Sequence, residues 1–263
     1  MAFSAADLQQ FDEQGYVICH SFFNDKEVAA MQAELARLVA DGLLRNVATE
    51  GDGTTHSTTQ FNLQICPLAP HSEVFRALPF CTKVRTAVHE LLRADFLIHL
   101  DQIFLKPAGH GAGTGWHQDD NYFRTGIPTA GTGMWIAVHD AMVENGTMHI
   151  VPGVHEIARP HTRDLGSDHH VTCLVDENQD TVIPVEMKAG SALFFNFGVP
   201  HCTKGNTTEN DRAGLALHFL KESFRDQAGA RLKNRPSLWG PDYDAGLAEY
   251  GTSQDGAWEQ VTS

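Results

Sequence analysis

Two segments near the start of the chain carry hydrophobic residues at helical spacing behind a capping signal. Ser4 and Asp7 form a capping-box pattern, and Gly15 predicts the end of the short helix that follows. Asn24 and Glu27 repeat the pattern, and the hydrophobic residues that follow at helical spacing are Val28, Met31, Leu35 and Leu38. The pattern predicts two amphipathic helices, the second ending at Gly42, with a strand in YVICHSFF between them.

The pattern changes twice farther along the chain. Residues 45–60 are polar and rich in turn formers, which predicts a mobile loop of the kind that often covers a site. A third helix is predicted over about 80–93, where four aliphatic residues share one face. From about residue 96, short apolar runs alternate with Gly, Pro, Asn and Asp. These runs are typical of a sandwich, jelly roll or small barrel: FLIHLDQIFLKP, GMWIAVHDA, TMHIVPG, SALFFNFG and RAGLALHFL.

The length of the chain sets its expected organisation. With 263 residues, 42% of them hydrophobic, the chain is long enough for one large domain with a substantial core. We therefore expect a single domain over residues 1–263, with a core over about 10–225. The tail over about 226–263 shows little apolar periodicity and is predicted to wrap loosely over the body.

Charge and cysteine content narrow the classes of partner. A net charge of -14 repels phosphate backbones and anionic lipid surfaces, so neither nucleic acid nor a membrane is an expected partner. The five cysteines are scattered and form no C-x-x-C pair, which suits free thiols in a reducing compartment. No signal-peptide pattern is visible at the start. The expected location is the cytoplasm, and the sequence leaves the oligomeric state open.

The stretch GTGWHQDDNYF contains a histidine and an aspartate two residues apart. On an extended segment, His117 and Asp119 would face the same side and could converge on one metal ion. The third ligand must come from elsewhere, and His201, directly after Pro200, is the best candidate. Taken singly, each of these side chains is more often an ordinary surface or core residue.

Arg212 is the candidate anion-binding residue beside this group. It begins an apolar run eleven residues after His201, and we expect the two segments to form a hairpin that keeps their starts close. Gly214 and Ala216 would share the face of Arg212 and leave room for a ligand. Two histidines and one carboxylate with open positions form the facial triad of non-haem Fe(II) oxygenases, and a guanidinium matches the carboxylate of a co-substrate.

The quoted runs resemble a known family. The pattern W-x-A-x-x-D-x-x-x-x-N-G-x-M/L-x-x-x-P-G-x-H, read here from Trp135 to His155, is similar to that of the phytanoyl-CoA dioxygenase family of Fe(II)/2-oxoglutarate oxygenases. The N-terminal FDEQGYV is also typical of that family. The resemblance covers most of residues 10–220, and it is specific because His201 and Arg212 follow at the expected spacing.

The resemblance implies a mainly β fold, a double-stranded β-helix (jelly roll, cupin-like) with flanking α-helices. It implies Fe(II) bound by His117, Asp119 and His201, with 2-oxoglutarate and O₂ as co-substrates. Arg212 and Thr203 match positions that meet the distal carboxylate of 2-oxoglutarate. The remaining co-substrate contacts implied by the resemblance are Trp135, Gln102 and Asn62.

The implied reaction is oxidation of a small organic molecule, coupled to decarboxylation of 2-oxoglutarate to succinate. Halogenating relatives lack the carboxylate, so the presence of Asp119 favours hydroxylation or another two-electron oxidation. Two alternatives remain open at this point. The same ligands would serve a cupin-type metal-dependent hydrolase or isomerase, and the fold would also serve a binding domain without turnover.

Other histidines invite a second metal site. His161, His169 and His170 lie in one polar segment, but three histidines in such a loop are more often solvated than bound to an ion. His155 ends the family pattern, and we expect it to make a structural hydrogen bond. Asp120 fits a substrate contact and a turn residue equally well, while the two aromatics after it are expected in the pocket wall or core.

Overall fold

The structure, a computed structural model, describes residues 3–226 and 234–262. Its strands in chain order are β1 Tyr16–Cys19, β2 Arg45–Asn46, β3 Leu63–Ile65, β4 Phe96–Lys106, β5 Thr114–His117, β6 Gly131–Ala137, β7 Met148–Ile150, β8 His161–Arg163, β9 Val171–Cys173, β10 Ile183–Pro184, β11 Ala192–Asn196, β12 His201–Thr203 and β13 Arg212–Lys221. Its α-helices are α1 Ala5–Gln14, α2 Asp25–Ala40, α3 Glu73–Ala77, α4 Thr82–Leu92, α5 Asp120–Phe123, α6 Leu247–Tyr250 and α7 Ala257–Val261.

Two antiparallel sheets form a double-stranded β-helix. The large sheet has the order β1-β11-β6-β13-β4-β3-β2, and the small sheet has the order β10-β7-β12-β5. The strands β8 and β9 form a separate hairpin. The predicted mainly β fold with flanking helices is therefore confirmed. No helix in the described part of the chain is long and apolar enough to cross a membrane.

Alternating residues of the central strand β13 serve the two faces of the large sheet. Leu215, Leu217 and Phe219 pack in the core beneath the helices, whereas Ala216 and His218 face the space between the sheets. The same core contains the apolar faces of α1, α2 and α4. Because side chains alternate along a strand, one face builds the core while the other lines a cavity.

The helix boundaries follow the capping signals of the sequence. Both predicted capping boxes are present, at Ser4 with Asp7 and at Asn24 with Glu27. Gly15 ends α1 in the left-handed region with φ 81°, a conformation that glycine adopts without steric cost. The predicted third helix corresponds to α4.

Three sequence-based expectations differ from the structure. The strand expected in YVICHSFF covers only its first four residues, since a turn follows Cys19. Residues 45–60 are anchored rather than loose: they contain β2, and Ala48 and Thr49 bond to the segment around Ser167. The part of the tail over residues 234–262 packs firmly, with Leu238 and Trp258 in the main core. The rest of the predicted tail, residues 227–233 and 263, lies outside the described residues.

Candidate active site

The three predicted metal ligands converge. His117 ends β5 and His201 begins β12, and the two residues are directly opposite each other in the paired strands. Oδ1 of Asp119 lies 3.8 Å from Nε2 of His117 and 3.7 Å from Nε2 of His201. One ligand atom from each residue lies within 4.8 Å of the others, and all three residues are buried.

Asp119 reaches this position by a different route from the one expected. Its backbone is helical, with φ -61° and ψ -33°, and it precedes α5 instead of continuing the strand. Gln118 fixes the bend, because its amide nitrogen donates to the carbonyls of Ile157 and Gly198. Its amide oxygen accepts from the backbone N–H of Arg159. The convergence was predicted correctly, but the extended conformation assumed for it was wrong.

Backbone carbonyls orient both imidazole rings. Nδ1 of His117 lies 2.8 Å from the carbonyl oxygen of Gly115, and Nδ1 of His201 lies 2.9 Å from that of Val199. A ring that donates its Nδ1–H to a carbonyl presents the lone pair of Nε2 on its other side. This is the usual arrangement of metal-binding histidines, so the donor set fits an iron ion with two nitrogens and one oxygen.

Burial sets the charge of the ligands. Burial, together with the neighbouring His201, lowers the pKa of His117 to about 3, so its imidazole is neutral near pH 7. Burial alone would raise the pKa of Asp119, but the adjacent histidines His218 and His201 outweigh it and hold that pKa below its usual range. A neutral imidazole and an ionised carboxylate are the forms that bind a metal.

A cavity of about 490 Å³ opens beside the three ligands. It lies between the two sheets and is lined by residues from both. All of the predicted site residues line it, namely Asn62, Gln102, His117, Asp119, Trp135, His201, Thr203 and Arg212. The predicted pocket-wall aromatics Tyr122 and Phe123 line it as well.

Two buried cations face the cavity. Arg212 begins β13 and is 1% exposed, and its guanidinium donates to the carbonyl oxygens of Gly146 and Asn145. Lys106, also 1% exposed, ends β4 opposite Arg212 and donates to the carbonyls of Ala112 and Lys204. Within the described ranges neither cation has a carboxylate partner, although a buried charge is costly without one.

Burial lowers the pKa of both cations. It lowers the pKa of Arg212 to about 9, and burial with the nearby Arg212 charge lowers the pKa of Lys106 well below its usual value. An anionic ligand between them would reverse this effect. The sequence analysis did not include Lys106, although strand periodicity places it on the same face of β4 as Leu100, Gln102 and Phe104.

The placement of Arg212 also corrects the expected hairpin. His201 begins a strand of the small sheet, whereas Arg212 begins a strand of the large sheet. The segment between His201 and Arg212 therefore passes from the small sheet to the large sheet. Both residues line the cavity between the sheets. Gly214, on the face of Arg212, allows Trp135 to pack closely, because a Cβ atom there would lie 2.5 Å from the indole.

Several polar atoms of the cavity wall have no hydrogen-bond partner. Oδ1 of Asn62 and Oγ1 of Thr203 are buried and unpaired within the described structure. The amide nitrogen of Asn62 donates to Oγ1 of Thr114, and Gln102 accepts from Gln64. Because buried polar groups are normally paired, the free atoms indicate room for a polar ligand.

The other histidines take different roles. In the part of the chain that the structure describes, the triad is the only group of three residues that could hold a metal ion. His161 accepts from the backbone N–H of Gln118, and His169 bonds to Asp168. His155 packs beside Gly15, and its Nδ1 has no hydrogen-bond partner among the described residues, so the structural hydrogen bond expected of this side chain stays a prediction.

Asp120 was predicted to be either a substrate contact or a turn residue, and in the structure it has the role of a turn residue. Its carboxylate accepts from the backbone N–H and the side chain of Thr125. His218, by contrast, was absent from the predicted site, although it lies within hydrogen-bond distance of Asp119. His218 lies six residues after Arg212, and an even spacing puts both side chains on the same face of a strand. This spacing could have identified His218 from the sequence.

Sequence comparison identifies relatives of the chain. Residues 11–214 match the family model described as phytanoyl-CoA dioxygenase. An ectoine dioxygenase of Streptomyces anulatus is 25% identical, with 90% of this chain and 85% of the relative covered. Phytanoyl-CoA dioxygenase domain-containing protein 1 of Mus musculus is 23% identical, with 83% and 90% covered.

Solved structures share the fold. EctD from S. alaskensis, solved with 2-oxoglutarate and 5-hydroxyectoine, has a TM-score of 0.68 and 22% identity over 85% of this chain and 78% of that one. The α-ketoglutarate-dependent carbocyclase SnoK from nogalamycin biosynthesis has a TM-score of 0.68 and 22% identity over 83% and 84%. The triad, the cavity and the family match agree, and the chain belongs to the phytanoyl-CoA dioxygenase family of Fe(II)/2-oxoglutarate-dependent oxygenases.

Proposed function

We propose that His117, Asp119 and His201 bind Fe(II) and that the enzyme hydroxylates a small organic molecule in the cavity beside them. The single observation that carries the proposal is the convergence of two oriented imidazoles and one carboxylate, all buried, on one point. Three protein ligands leave positions open for a co-substrate and O₂.

Arg212 and Lys106 are the proposed anchors for the distal carboxylate of 2-oxoglutarate. Both line the cavity and are 1% exposed, and their hydrogen-bond partners in the described part of the chain are main-chain carbonyls. Thr203 is proposed to bind the same end, because its buried hydroxyl oxygen has no hydrogen-bond partner among the residues that the structure describes. Trp135 packs beside Arg212, with the guanidinium carbon 5.6 Å from the centre of its ring. Gln102 and Asn62 complete the proposed polar wall.

Bound Fe(II), with 2-oxoglutarate and O₂, supplies a two-electron oxidation in which 2-oxoglutarate becomes succinate and CO₂ and a substrate C–H becomes C–OH. The chain itself positions the metal and the substrate and keeps water away from them. The buried triad and the apolar rings of Tyr122 and Phe123 exclude water from the reacting atoms. Asp119 occupies the ligand position that halogenating relatives leave open, which supports hydroxylation.

The proposed substrate is a small molecule, because the cavity of about 490 Å³ must hold 2-oxoglutarate as well. Relatives named ectoine dioxygenase make ectoine one member of a test panel. A cupin-type hydrolase would have no use for a buried Arg212 facing the metal ligands. A binding domain without turnover would not require an intact triad.

The first experiment is anaerobic addition of Fe(II) and 2-oxoglutarate to the metal-free protein. We expect a weak visible charge-transfer band, followed in air by slow conversion of 2-oxoglutarate to succinate without substrate. Iron binding with neither the band nor succinate would contradict the proposal. The panel of small molecules is then screened for faster succinate formation.

Replacing one ligand tests the triad directly. Asp119→Ala leaves two protein ligands, and we expect metal affinity to fall on the order of a hundredfold, since each ligand carries a share of the binding free energy. Hydroxylation should be lost. Asp140→Ala is the control, because Asp140 pairs with Lys188 outside the cavity. Equal metal affinity in both variants would remove Asp119 from the site.

We also propose that residues 1–263 form one domain in the cytoplasm. The interaction of Trp258 with Glu27 supports one domain, since it joins the end of the chain to α2 within a shared core. The five free cysteines support a reducing compartment. The net charge of -14 supports a small-molecule partner over nucleic acid or a membrane surface.

A further inference from the structure

Asp119 has two carboxylate oxygens, and they face different neighbours. Oδ1 lies 3.7–3.8 Å from the Nε2 atoms of His117 and His201. Oδ2 lies 3.1 Å from Nε2 of His218. The oxygen that His218 contacts is therefore the one turned away from the other two ligands.

His218 belongs to the opposite wall of the β-helix. It lies in β13 of the large sheet, whereas Asp119 follows β5 of the small sheet. On either side of β13 it pairs with Leu100 of β4 and Gly133 of β6. The pairing with β4 shifts register between His218 and Phe219, as in a β-bulge, and such irregularities re-aim side chains.

Burial makes this contact hard to replace. His218 is 3% exposed and Asp119 is 5% exposed, so water has little access to either group. Phe123 and Phe197 surround the imidazole, with ring centres 5.2 Å and 6.1 Å away. A buried carboxylate oxygen that loses its donor keeps the full cost of desolvation.

We propose that His218 is a positioning residue for the metal site: its Nε2–H binds Oδ2 of Asp119 and leaves Oδ1 as the single ligand oxygen. This inference rests on the proposed triad. Without the donor, the carboxylate can rotate about its Cβ–Cγ bond, turn away from the ion or bind through both oxygens. Binding through both oxygens would occupy a position that a co-substrate needs. His218 itself lies outside the group of atoms that can reach one ion.

The test uses metal-free protein titrated anaerobically with Co(II), without any substrate. Wild type and His117→Ala come first: if wild type does not bind, or His117→Ala binds equally well, the proposed triad fails. If the triad stands, His218→Leu should weaken Co(II) binding about 10–100-fold, as removal of an outer hydrogen bond to a ligand typically does. Its visible Co(II) spectrum should change in intensity, because the carboxylate binds differently.

A conservative pair keeps the test decisive where the leucine variant does not fold. The amide nitrogen of His218→Gln can reach the place of Nε2 and donate, whereas that of His218→Asn is too short. We expect the Gln variant to keep wild-type affinity within a few-fold and the Asn variant to resemble Leu. Phe219→Leu, whose side chain faces the helices, is the matched control and should alter stability but not Co(II) affinity. Equal affinity and spectra in Gln and Asn would overturn the proposal.

Discussion

Arg212 and Lys106 show how single residues prepare a site before its ligand arrives. Both are buried cations, and within the described ranges their hydrogen bonds go only to main-chain carbonyls. A carbonyl dipole compensates a full charge only in part, which the lowered pKa of Arg212, caused by burial, reflects. We infer that the carboxylates of the dianionic co-substrate compensate the buried positive charges of Arg212 and Lys106.

This charge balance gives a prediction for Arg212→Ala. Loss of a buried, hydrogen-bonded charge partner costs about 2–5 kcal/mol, so the KM for 2-oxoglutarate should rise roughly 30-fold or more. Fe(II) affinity should stay unchanged, because Arg212 does not contact the ligand atoms. The measurement is succinate formation against 2-oxoglutarate concentration, with Lys188→Ala as a surface control. An unchanged KM would place the distal carboxylate elsewhere.

The elements of the fold differ in how far local sequence predicts them. The helices α1, α2 and α4 follow from caps and apolar spacing, since these signals act within a few residues. The bend at Asp119 does not follow, because it depends on Gln118 binding carbonyls about 40 and 80 residues away. Local signals indicate an element, whereas tertiary contacts decide where it turns.

The candidate site was predictable where it matched a family pattern and less so elsewhere. His117, Asp119, His201 and Arg212 all line the cavity, as expected. The hairpin expected between His201 and Arg212 failed, because chain distance does not say which sheet receives the next strand. His218 belongs to no recognisable motif, and its contact with the site is made through Asp119, which lies 99 residues away in the chain.

The C-terminal helix α7 gives a prediction at the scale of an element. Trp258 is 1% exposed, packs on Phe23 and donates its Nε1–H to Glu27 at 2.8 Å. Trp258→Ala should cost about 3–5 kcal/mol of unfolding free energy, and Trp258→Phe, which keeps most of the packing, about 1 kcal/mol. Urea unfolding measures both, with the half-exposed Val261→Ala as control. A loosely wrapped tail would give no loss in either variant.

For the whole molecule, several buried histidines share one response to acid. Burial lowers the pKa of His155 from 6.5, and burial with the neighbouring His169 lowers the pKa of His170 well below 6.5. Unfolding restores their ordinary pKa, so the unfolded chain binds more protons below pH 6.5. Their contribution to stability is therefore complete above about pH 6.5 and is lost as the pH falls.

We thus expect the Tm of the metal-free protein to fall steadily between pH 7 and pH 5. Each histidine that stays neutral contributes up to about 1.4 kcal/mol per pH unit in that window. His155→Gln should flatten the slope, whereas His20→Gln, on an exposed turn, should not. A Tm that stays constant from pH 7 to pH 5 would contradict the assignment of neutral buried histidines.

The pairing of β5 with β12 has a consequence for how the family can diversify. His117 and His201 are neighbours because their strands bond across the small sheet, and the length of chain between them plays no part in their spacing. Segments between them that make no contact with the triad or with Gln118 can therefore lengthen, shorten or change composition while the spacing of the two histidines is preserved. Substrate preference can therefore change through these loops, while the strand pairing keeps the two histidines at the same spacing.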